Sequence, residues 1–215
     1  MITGTGPMVT RSIDVAGFSA IDITGSFAIT YRVATETALT VVMQENLFER
    51  LQTNVQGDNL HVSTGGITIT GANQPRLYIY APYLTTAVFS GAVNTGEWDT
   101  IYGHSFSINA SGAVNINIDV EVDSLDINAS GAVNLTLDMD VETLNMDISG
   151  AADARLSGFA RTIDIDGSGA FNLRAGNLAT EGGNVRASGA SNVYLSTLDN
   201  VTVNTSGLAR VRQAN

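Results

Sequence analysis

The chain has 215 residues and an acidic composition, with 21 Asp and Glu against 10 Lys and Arg, which gives a net charge of −11. This charge repels the phosphate backbone of nucleic acids, and since we identify no basic patch in the sequence, we expect no nucleic-acid partner. The absence of cysteine excludes disulfides and thiolate metal sites. No run of about 18 apolar residues is present to span a membrane.

The N-terminal sequence and the composition bear on where the protein resides. Residues 1–4 carry neither the basic nor the apolar region of a signal peptide, so the protein is either cytoplasmic or has lost that peptide. The composition is rich in Thr, Asn, Gly and Ser, with only 14% charged residues, and this favours an exported β-protein. We expect a secreted or cell-envelope protein, in the periplasm or on the outer surface, whose signal peptide has been removed.

The first 85 residues predict short strands and one helix. Apolar and polar residues alternate between residues 11 and 43, and glycines interrupt the pattern, which indicates short strands. In residues 45–51 the apolar side chains change to helical spacing. This change predicts a single short helix, or one helical turn, in an otherwise β-rich segment.

Turn residues divide the rest of this N-terminal part. Residues 55–62 predict a strand, a Gly-Asp-Asn turn and a second strand, because these turn residues tolerate positive φ. Short strands are also predicted at 67–69 and 77–80, and Pro82 ends the second because it lacks the N–H that a sheet requires. We expect the whole segment to cap the more regular part that follows.

Residues 86–215 contain a repeat of about 19 residues. A Ser-Gly-Ala segment, or a near copy, starts at Ser90, Ser111, Ser130, Ser149, Ser168, Ser188 and Ser206. Apolar columns that alternate with polar ones flank each copy, as at Ile108, Ile127 and Met146. Alternation within a repeat and similarity between repeats predict that the apolar columns line an interior and that successive repeats pair in parallel.

These patterns predict an all-β fold, a right-handed single-stranded parallel β-helix with a β-rich N-terminal cap. The predicted solenoid has turns of about 19 residues. Its right-handedness is expected because parallel crossover connections are overwhelmingly right-handed. We expect a single domain, residues 1–215, with an irregular part at 1–85 and the regular repeats at 86–215.

The repeat also assigns two sets of structural residues. A glycine is expected at each corner between strands, where a sharp bend favours positive φ, namely Gly91, Gly112, Gly131, Gly150, Gly169, Gly189 and Gly207. Four residues after each serine stands a polar side chain that we expect to hydrogen-bond along the stack. This asparagine ladder comprises Asn94, Asn115, Asn134, Asp153, Asn172 and Asn192. Alternation points the ladder outward, whereas a bend at the glycine would turn it inward, and the sequence leaves both open.

At these residues the chain resembles a bacterial family described as "putative auto-transporter adhesin, head GIN domain", whose members carry repeated Ser-Gly-Ala corners followed by short apolar strands. The segment 13–21, Ile-Asp-Val-Ala-Gly-Phe-Ser-Ala-Ile, and the stretch 39–60 are similar to that family's N-terminal half. The resemblance covers nearly the whole chain. It implies a secreted or envelope-attached bacterial β-helix with an adhesive role, and it implies no catalytic residues.

The acidic columns are the best candidates for a binding site. Three acidic residues stand 19 positions before three others, namely Asp119, Glu121 and Asp123 before Asp138, Asp140 and Glu142. On neighbouring strands roughly 5 Å apart these like charges repel, so hydration or a cation must relieve them. We favour solvated charges partly balanced by Arg161, and keep open a Ca²⁺ site or the paired carboxylates of a glycosidase. No other cofactor is expected.

Other catalytic and metal signatures are missing from the sequence. His61 and His104 are far apart and lack a third nitrogen or sulfur ligand, which argues against zinc. The repeated serines have no dedicated histidine partner, and no Gly-Lys-Ser/Thr segment follows the glycines. Aromatic residues cluster between residues 78 and 106, where core packing is favoured over stacking on sugar rings.

We therefore predict no catalytic residues and a non-catalytic, adhesin-like binding or structural module that presents its surface columns to a polysaccharide or protein at the cell surface. The alternative is a polysaccharide-active lyase or hydrolase that uses surface carboxylates. The scarcity of His and Arg and the lack of a basic cleft oppose that alternative. A homo-oligomer, formed through an exposed end of the fold, is a further expectation.

Overall fold

The computed structural model describes residues 2–65, 69–70 and 73–214. These residues form strands and one short 3₁₀ helix at Glu45–Arg50. The strands, in chain order, are β1 (Ile2–Thr3), β2 (Met8–Ile13), β3 (Ala20–Val33), β4 (Ala38–Gln44), β5 (Gln52–Gln56), β6 (Asn59–Ser63), β7 (Ile69–Thr70), β8 (Arg76–Ala81), β9 (Thr86–Trp98), β10 (Ile101–Ala179), β11 (Gly182–Ala187), β12 (Asn192–Leu195), β13 (Val201–Thr205) and β14 (Arg210–Gln213). The all-β part of the sequence prediction is confirmed.

The prediction of a right-handed parallel β-helix is wrong. Twelve strands belong to one mixed sheet, whose main order is β13-β11-β10-β9-β3-β8-β4-β2, with β12, β14, β5 and β6 attached beside it. Strand β4 pairs antiparallel with both β2 and β8, and β5 pairs antiparallel with β6. The remaining pairs in this sheet, such as β9 with β10, are parallel. A separate two-stranded sheet joins β1 and β7.

A short connection explains the antiparallel pair of β5 and β6. A two-residue turn at Gly57 and Asp58 joins β5 to β6, and Gly57 has a φ of 61°. A connection of two residues reverses the chain and cannot supply the long crossover that parallel strands need. The predicted strand–turn–strand unit at 55–62 is thus confirmed, and its direction is incompatible with a purely parallel coil.

The structure also tests the other local predictions for the N-terminal part. The 3₁₀ helix confirms the short helix predicted at 45–51. Strand β8 ends at Ala81, directly before Pro82, as the missing N–H of proline predicts. Of the strand predicted at 67–69, residues 67 and 68 lie outside the described residues. No helix in the described ranges is long and apolar enough to cross a membrane.

Strand β10 is a long extended segment that bends at glycines. Its φ is positive at Gly112, Gly131, Gly150, Gly158 and Gly169, and the corner positions Gly91, Gly189 and Gly207 outside it also have positive φ. Copies of the Ser-Gly-Ala segment lie directly on one another. A Cβ atom built on Gly131 would lie 2.6 Å from the carbonyl oxygen of Gly112. Only glycine meets both conditions there, the left-handed φ and the close backbone contact.

One hydrophobic cluster extends from Phe18 to Leu195 and holds the sheet together. Alternate residues of β10 enter it, as Ile108, Ile127 and Met146 do, all of them at most 1% exposed. The residues between them remain at the surface. Burial of this kind stabilises by about 25 cal/mol per Å² of apolar surface, so the core fixes which side chains face outward.

Candidate functional site

The asparagine ladder lies on one outer surface of the sheet, which we call the ladder face. Asn115 and Asn134 are exposed, whereas Val114 and Val133, their neighbours in the chain, are buried. The amide of Asn115 donates to Asn94 over 2.5 Å, and that of Asn134 donates to Asn115 over 2.7 Å. The orientation that the sequence left open is therefore outward.

The ladder continues beyond these three residues in both directions. Asn94 donates to Gln74 over 3.3 Å, and Asn192 donates to Asn172 over 3.1 Å. Parallel register places like residues opposite each other, because Asn172 pairs with Asn192. A row of amides thus crosses several strands, exposed at Asn115 and Asn134 and half-buried at Asn94, Asn172 and Asn192.

Asp153 takes the place of an asparagine in the middle of the ladder, and its carboxylate binds two arginines. Arg174 Nη1 donates to both carboxylate oxygens of Asp153, over 2.7 and 2.8 Å. Arg155 Nη1 lies 3.1 Å from the same carboxylate. One acidic group therefore orients two guanidinium groups on the ladder face and leaves a net positive charge there.

A groove of about 720 Å³ lies beside this ion pair. Arg155, Arg174 and Tyr194 line it, and Ala214 is among the other residues of its wall. Strand register places Arg174 opposite Tyr194 and Tyr194 opposite Arg212. Arg212 does not line the cavity but follows Tyr194 in the strand register at its edge. We call the surface formed by Arg155, Arg174, Tyr194 and this neighbouring Arg212 the arginine–tyrosine groove.

The acidic composition of the whole chain did not predict this local column of arginines. From residue 155 onward six arginines face four acidic residues, whereas the first 154 residues contain four arginines and 17 acidic residues. The spacing of these residues in the sequence indicates the column. Arg155, Arg174, Tyr194 and Arg212 each stand six residues after a repeat serine, so the repeat itself places them in one column.

The structure separates the six candidate cation-binding residues into different environments. A carboxylate oxygen of Asp123 lies 2.9 Å from His104 Nδ1, and Glu142 forms a 2.8 Å ion pair with Arg161. Asp138 accepts a 2.8 Å hydrogen bond from Ser157. These partners relieve part of the repulsion that stacked carboxylates would otherwise experience.

The other three acidic candidates, Asp119, Glu121 and Asp140, are exposed to solvent. Among residues 2–65, 69–70 and 73–214, no three His, Cys, Asp or Glu side chains are grouped to hold a metal ion. Cation binding by the six acidic residues stays a prediction that this geometry does not support. The two histidines have different partners, since His61 Nδ1 lies 3.2 Å from an Asp22 carboxylate oxygen and His104 Nδ1 lies 2.9 Å from Asp123.

A second cluster, far from the groove, ties β3 to the end of β9. Arg32 forms an ion pair of 2.8 Å with Asp99, and it also pairs with Glu97. The backbone N–H of Val33 donates to Asp99 over 2.9 Å. This N–H and the Arg32 guanidinium hold the pKa of Asp99 below its usual value, although burial opposes the shift. Hydrogen bonds to Asp99 likewise raise the pKa of Arg32.

Aromatic residues pack beside that cluster. The ring centroid of Trp98 lies 5.4 Å from that of Tyr31 and 6.1 Å from that of Phe89. Burial, followed by the charge of Asp99, raises the pKa of Tyr31 to about 12, and its hydroxyl donates to the carbonyl of Ala81. These rings pack in the core, whereas Tyr83 and Tyr102 are more than half exposed. The Trp98 indole N–H likewise donates to the carbonyl of Ile29 over 3.0 Å, so the Tyr31 and Trp98 rings both bond through their polar ends while their faces are packed.

Solved structures with the same fold cover nearly all of the chain. A putative adhesin from Parabacteroides merdae ATCC 43184 has a TM-score of 0.81 at 18% identity, covering 100% of this chain and 99% of that one. A putative adhesin from Parabacteroides distasonis ATCC 8503 has a TM-score of 0.79 at 20% identity, covering 99% and 95%. A putative lipid binding protein from the same strain has a TM-score of 0.66 at 12% identity, covering 100% and 99%. These likenesses establish the fold alone.

Sequence comparison identifies the family. The family model described as "Putative auto-transporter adhesin, head GIN domain" matches residues 17–138 and 121–215. The chain belongs to this family, as its Ser-Gly-Ala copies predicted. No curated protein matches the chain.

Proposed function

We propose that the protein is a non-catalytic, adhesin-like binding module of the bacterial cell surface or envelope, and that it binds its partner on the ladder face. The family description and the names of two structural neighbours support adhesion. The observation that carries the proposal is the asparagine ladder, a row of amides that is exposed at Asn115 and Asn134 and spaced by the strand separation of about 4.8 Å.

The ladder face suits a polymer with regularly spaced polar groups. Each asparagine uses part of its hydrogen-bonding capacity on a neighbouring asparagine and keeps the rest for a ligand. A polysaccharide or an extended protein segment offers hydroxyl or amide groups at regular intervals. Because the ladder is held in place by a rigid sheet, little side-chain entropy is lost on binding.

Catalysis is the weaker alternative. An enzyme that cleaves polysaccharides through surface carboxylates needs an acid and a base facing one bond. Asp138, Asp123 and Glu142 instead bind a serine, a histidine and an arginine. These contacts do not favour an enzymatic role.

A glycan and extracellular-matrix array, run with and without Ca²⁺, tests the proposal. We expect binding to a subset of glycans or matrix proteins that weakens in an Asn115→Ala, Asn134→Ala double variant. Asn145→Ala is a suitable control because Asn145 bonds Asp126 over 2.8 Å, away from the ladder. An array without any specific signal would refute the adhesin-like function.

A further inference from the structure

The arginine–tyrosine groove concentrates positive charge on an otherwise acidic protein. Arg155, Arg174 and Arg212 lie in one column with Tyr194, and Asp153 is the carboxylate that binds two of them. Within the described part of the chain, no hydrogen bond or ion pair holds the Arg212 side chain. Charges within about 8 Å act at physiological ionic strength while the distant acidic residues are screened.

We propose that the arginine–tyrosine groove binds a linear acidic polysaccharide through carboxylate or sulfate groups on its sugars. This inference rests on the proposed adhesin-like function and names the class of ligand. The contact of Arg174 with Asp153 shows the chemistry within the protein itself, because a guanidinium there already binds a carboxylate through both oxygens. Arg174 Nε and Nη2, Arg155 and Arg212 remain as donors for a ligand.

The position of the tyrosine favours a sugar chain. Tyr194 is 37% exposed and lies between Arg174 and Arg212 in the strand register. A tyrosine ring offers an apolar face for a sugar ring, and its flanking arginines meet charged groups on either side. Successive strands lie about 4.8 Å apart, so the three arginines follow one line rather than a broad surface. A chain lying across the strands would contact all four residues.

The amount of charge argues against other polyanions. Three arginines and Asp153 leave a net charge of two, whereas nucleic-acid binding proteins commonly neutralise about 6–10 phosphates. Recruitment to an anionic membrane usually takes clusters of about four to eight basic residues. A uronate or sulfated polysaccharide carries its charges more sparsely and adds ring stacking, which matches what the groove provides.

The test uses the full chain and four probes in surface plasmon resonance: polygalacturonate, a heparin oligosaccharide, neutral dextran and a single-stranded oligonucleotide. Vesicles of phosphatidylglycerol and phosphatidylcholine form a fifth arm. We expect wild-type protein to bind polygalacturonate or heparin, with affinity that falls as salt rises. The two polyanions separate carboxylate from sulfate recognition.

Charge-matched variants locate the site. We expect an Arg155→Gln, Arg212→Gln double variant to lose about tenfold or more in affinity, because it removes two charged donors from the groove. Arg161→Gln with Arg186→Gln removes the same charge from ion pairs with Glu142 and Asp164 outside the groove and should change affinity less than about twofold. Tyr194→Ala should weaken binding at high salt as well, because stacking is not screened. Thermal unfolding verifies that every variant is folded.

Several results would overturn the inference. Equal losses in the two double variants would indicate a diffuse charge effect, and preferential binding to vesicles or the oligonucleotide would indicate another ligand class. If the array identifies a partner while neither polyanion binds the groove, the adhesin-like function stands and the groove assignment falls. If the array is blank but the groove binds polygalacturonate, the groove assignment stands and partner binding through the asparagine ladder fails.

Discussion

Asp99 accepts hydrogen bonds from two consecutive residues of a strand 66 and 67 positions earlier in the chain, from the backbone N–H of Val33 over 2.9 Å and from Arg32 over 2.8 Å. A backbone hydrogen bond also runs in the opposite direction, because the N–H of Asp99 donates to the carbonyl of Tyr31. The end of β9 is therefore fixed to β3 by backbone and side-chain bonds together.

This arrangement predicts a stability that depends on acidic pH. The folded-state pKa of Asp99 lies below its ordinary value, so its contribution is present above the unfolded-state pKa of about 3.9 and is lost as pH falls through the lower folded-state value. We expect Asp99→Asn to flatten the fall in urea midpoint below pH 4 relative to wild type. Because Asp99 and Arg32 are more than a third exposed, solvent screens the effect and keeps it small.

Glu97→Gln provides the comparison for that measurement. Glu97 also pairs with Arg32, but its side chain is 82% exposed and it receives no backbone bond. The variant should keep the acid dependence of wild type. An Asp99→Asn curve that superimposes on the wild-type curve across the acid range would show that this carboxylate does not contribute.

A second prediction concerns the close contact between repeats. Gly131→Ala should lower the free energy of unfolding by about 3 kcal/mol or more, because the alanine would be strained at a φ of +98° and its Cβ would press on the Gly112 carbonyl. Gly17→Ala is the matched control, since a Cβ at Gly17 meets no atom within 4 Å, and its effect should stay within about 0.5 kcal/mol. Urea unfolding measures both, and a Gly131→Ala protein as stable as wild type would contradict the described contact.

The asparagine ladder predicts energetic coupling between neighbours. Asn115 and Asn134 share a 2.7 Å hydrogen bond, so a double-mutant cycle with Asn115→Ala and Asn134→Ala should give a coupling energy of about 0.5–1 kcal/mol. Replacing Asn115 and Asn192 together should be additive within about 0.5 kcal/mol, because the two are not in contact. Zero coupling in the neighbouring pair would mean that the amides bond to water instead of to each other.

Calcium provides a fourth test. Since no three acidic side chains of the described ranges are grouped to hold a metal, adding millimolar Ca²⁺ should leave the melting temperature unchanged. A ligand that binds only the folded state at 100 times its dissociation constant would stabilise it by about 2.7 kcal/mol. A clear rise in melting temperature that disappears in Asp119→Asn, Glu121→Gln would restore the cation site.

The sequence predicted burial better than it predicted strand direction. Period-2 alternation places Ile108 and Ile127 inside whichever way the neighbouring strand runs, because parallel and antiparallel strands share that period. The repeats after Ser90 therefore predict a parallel coil for residues 86–215, whereas for the irregular part at 1–85 the pattern predicts strands without their pairing directions. The antiparallel pairs of β2, β4 and β8 arise in the first 81 residues, where the repeat is weak.

The candidate site illustrates a different limit. The positions of the asparagine ladder followed from spacing, but its outward direction required the burial of Val114 and Val133. The arginine–tyrosine groove was overlooked because a net charge of −11 describes the whole chain and conceals the local excess of arginine after residue 155. Sequence spacing predicted that Arg161 balances part of the acidic charge, and Arg161 does pair with Glu142, but it did not predict the contacts of His104 and Ser157 with Asp123 and Asp138.

The uneven distribution of charge also gives the molecule an electric dipole. The sheet order places β2 at one end and β13 at the other, so the acid-rich first 154 residues and the arginine-rich remainder lie toward opposite poles. In the field of a negatively charged surface, such a dipole orients the arginine-rich end of the molecule toward that surface before any contact forms. Encounters would then present the arginine–tyrosine groove first, and adding salt would slow association even for a partner whose final contacts are neutral.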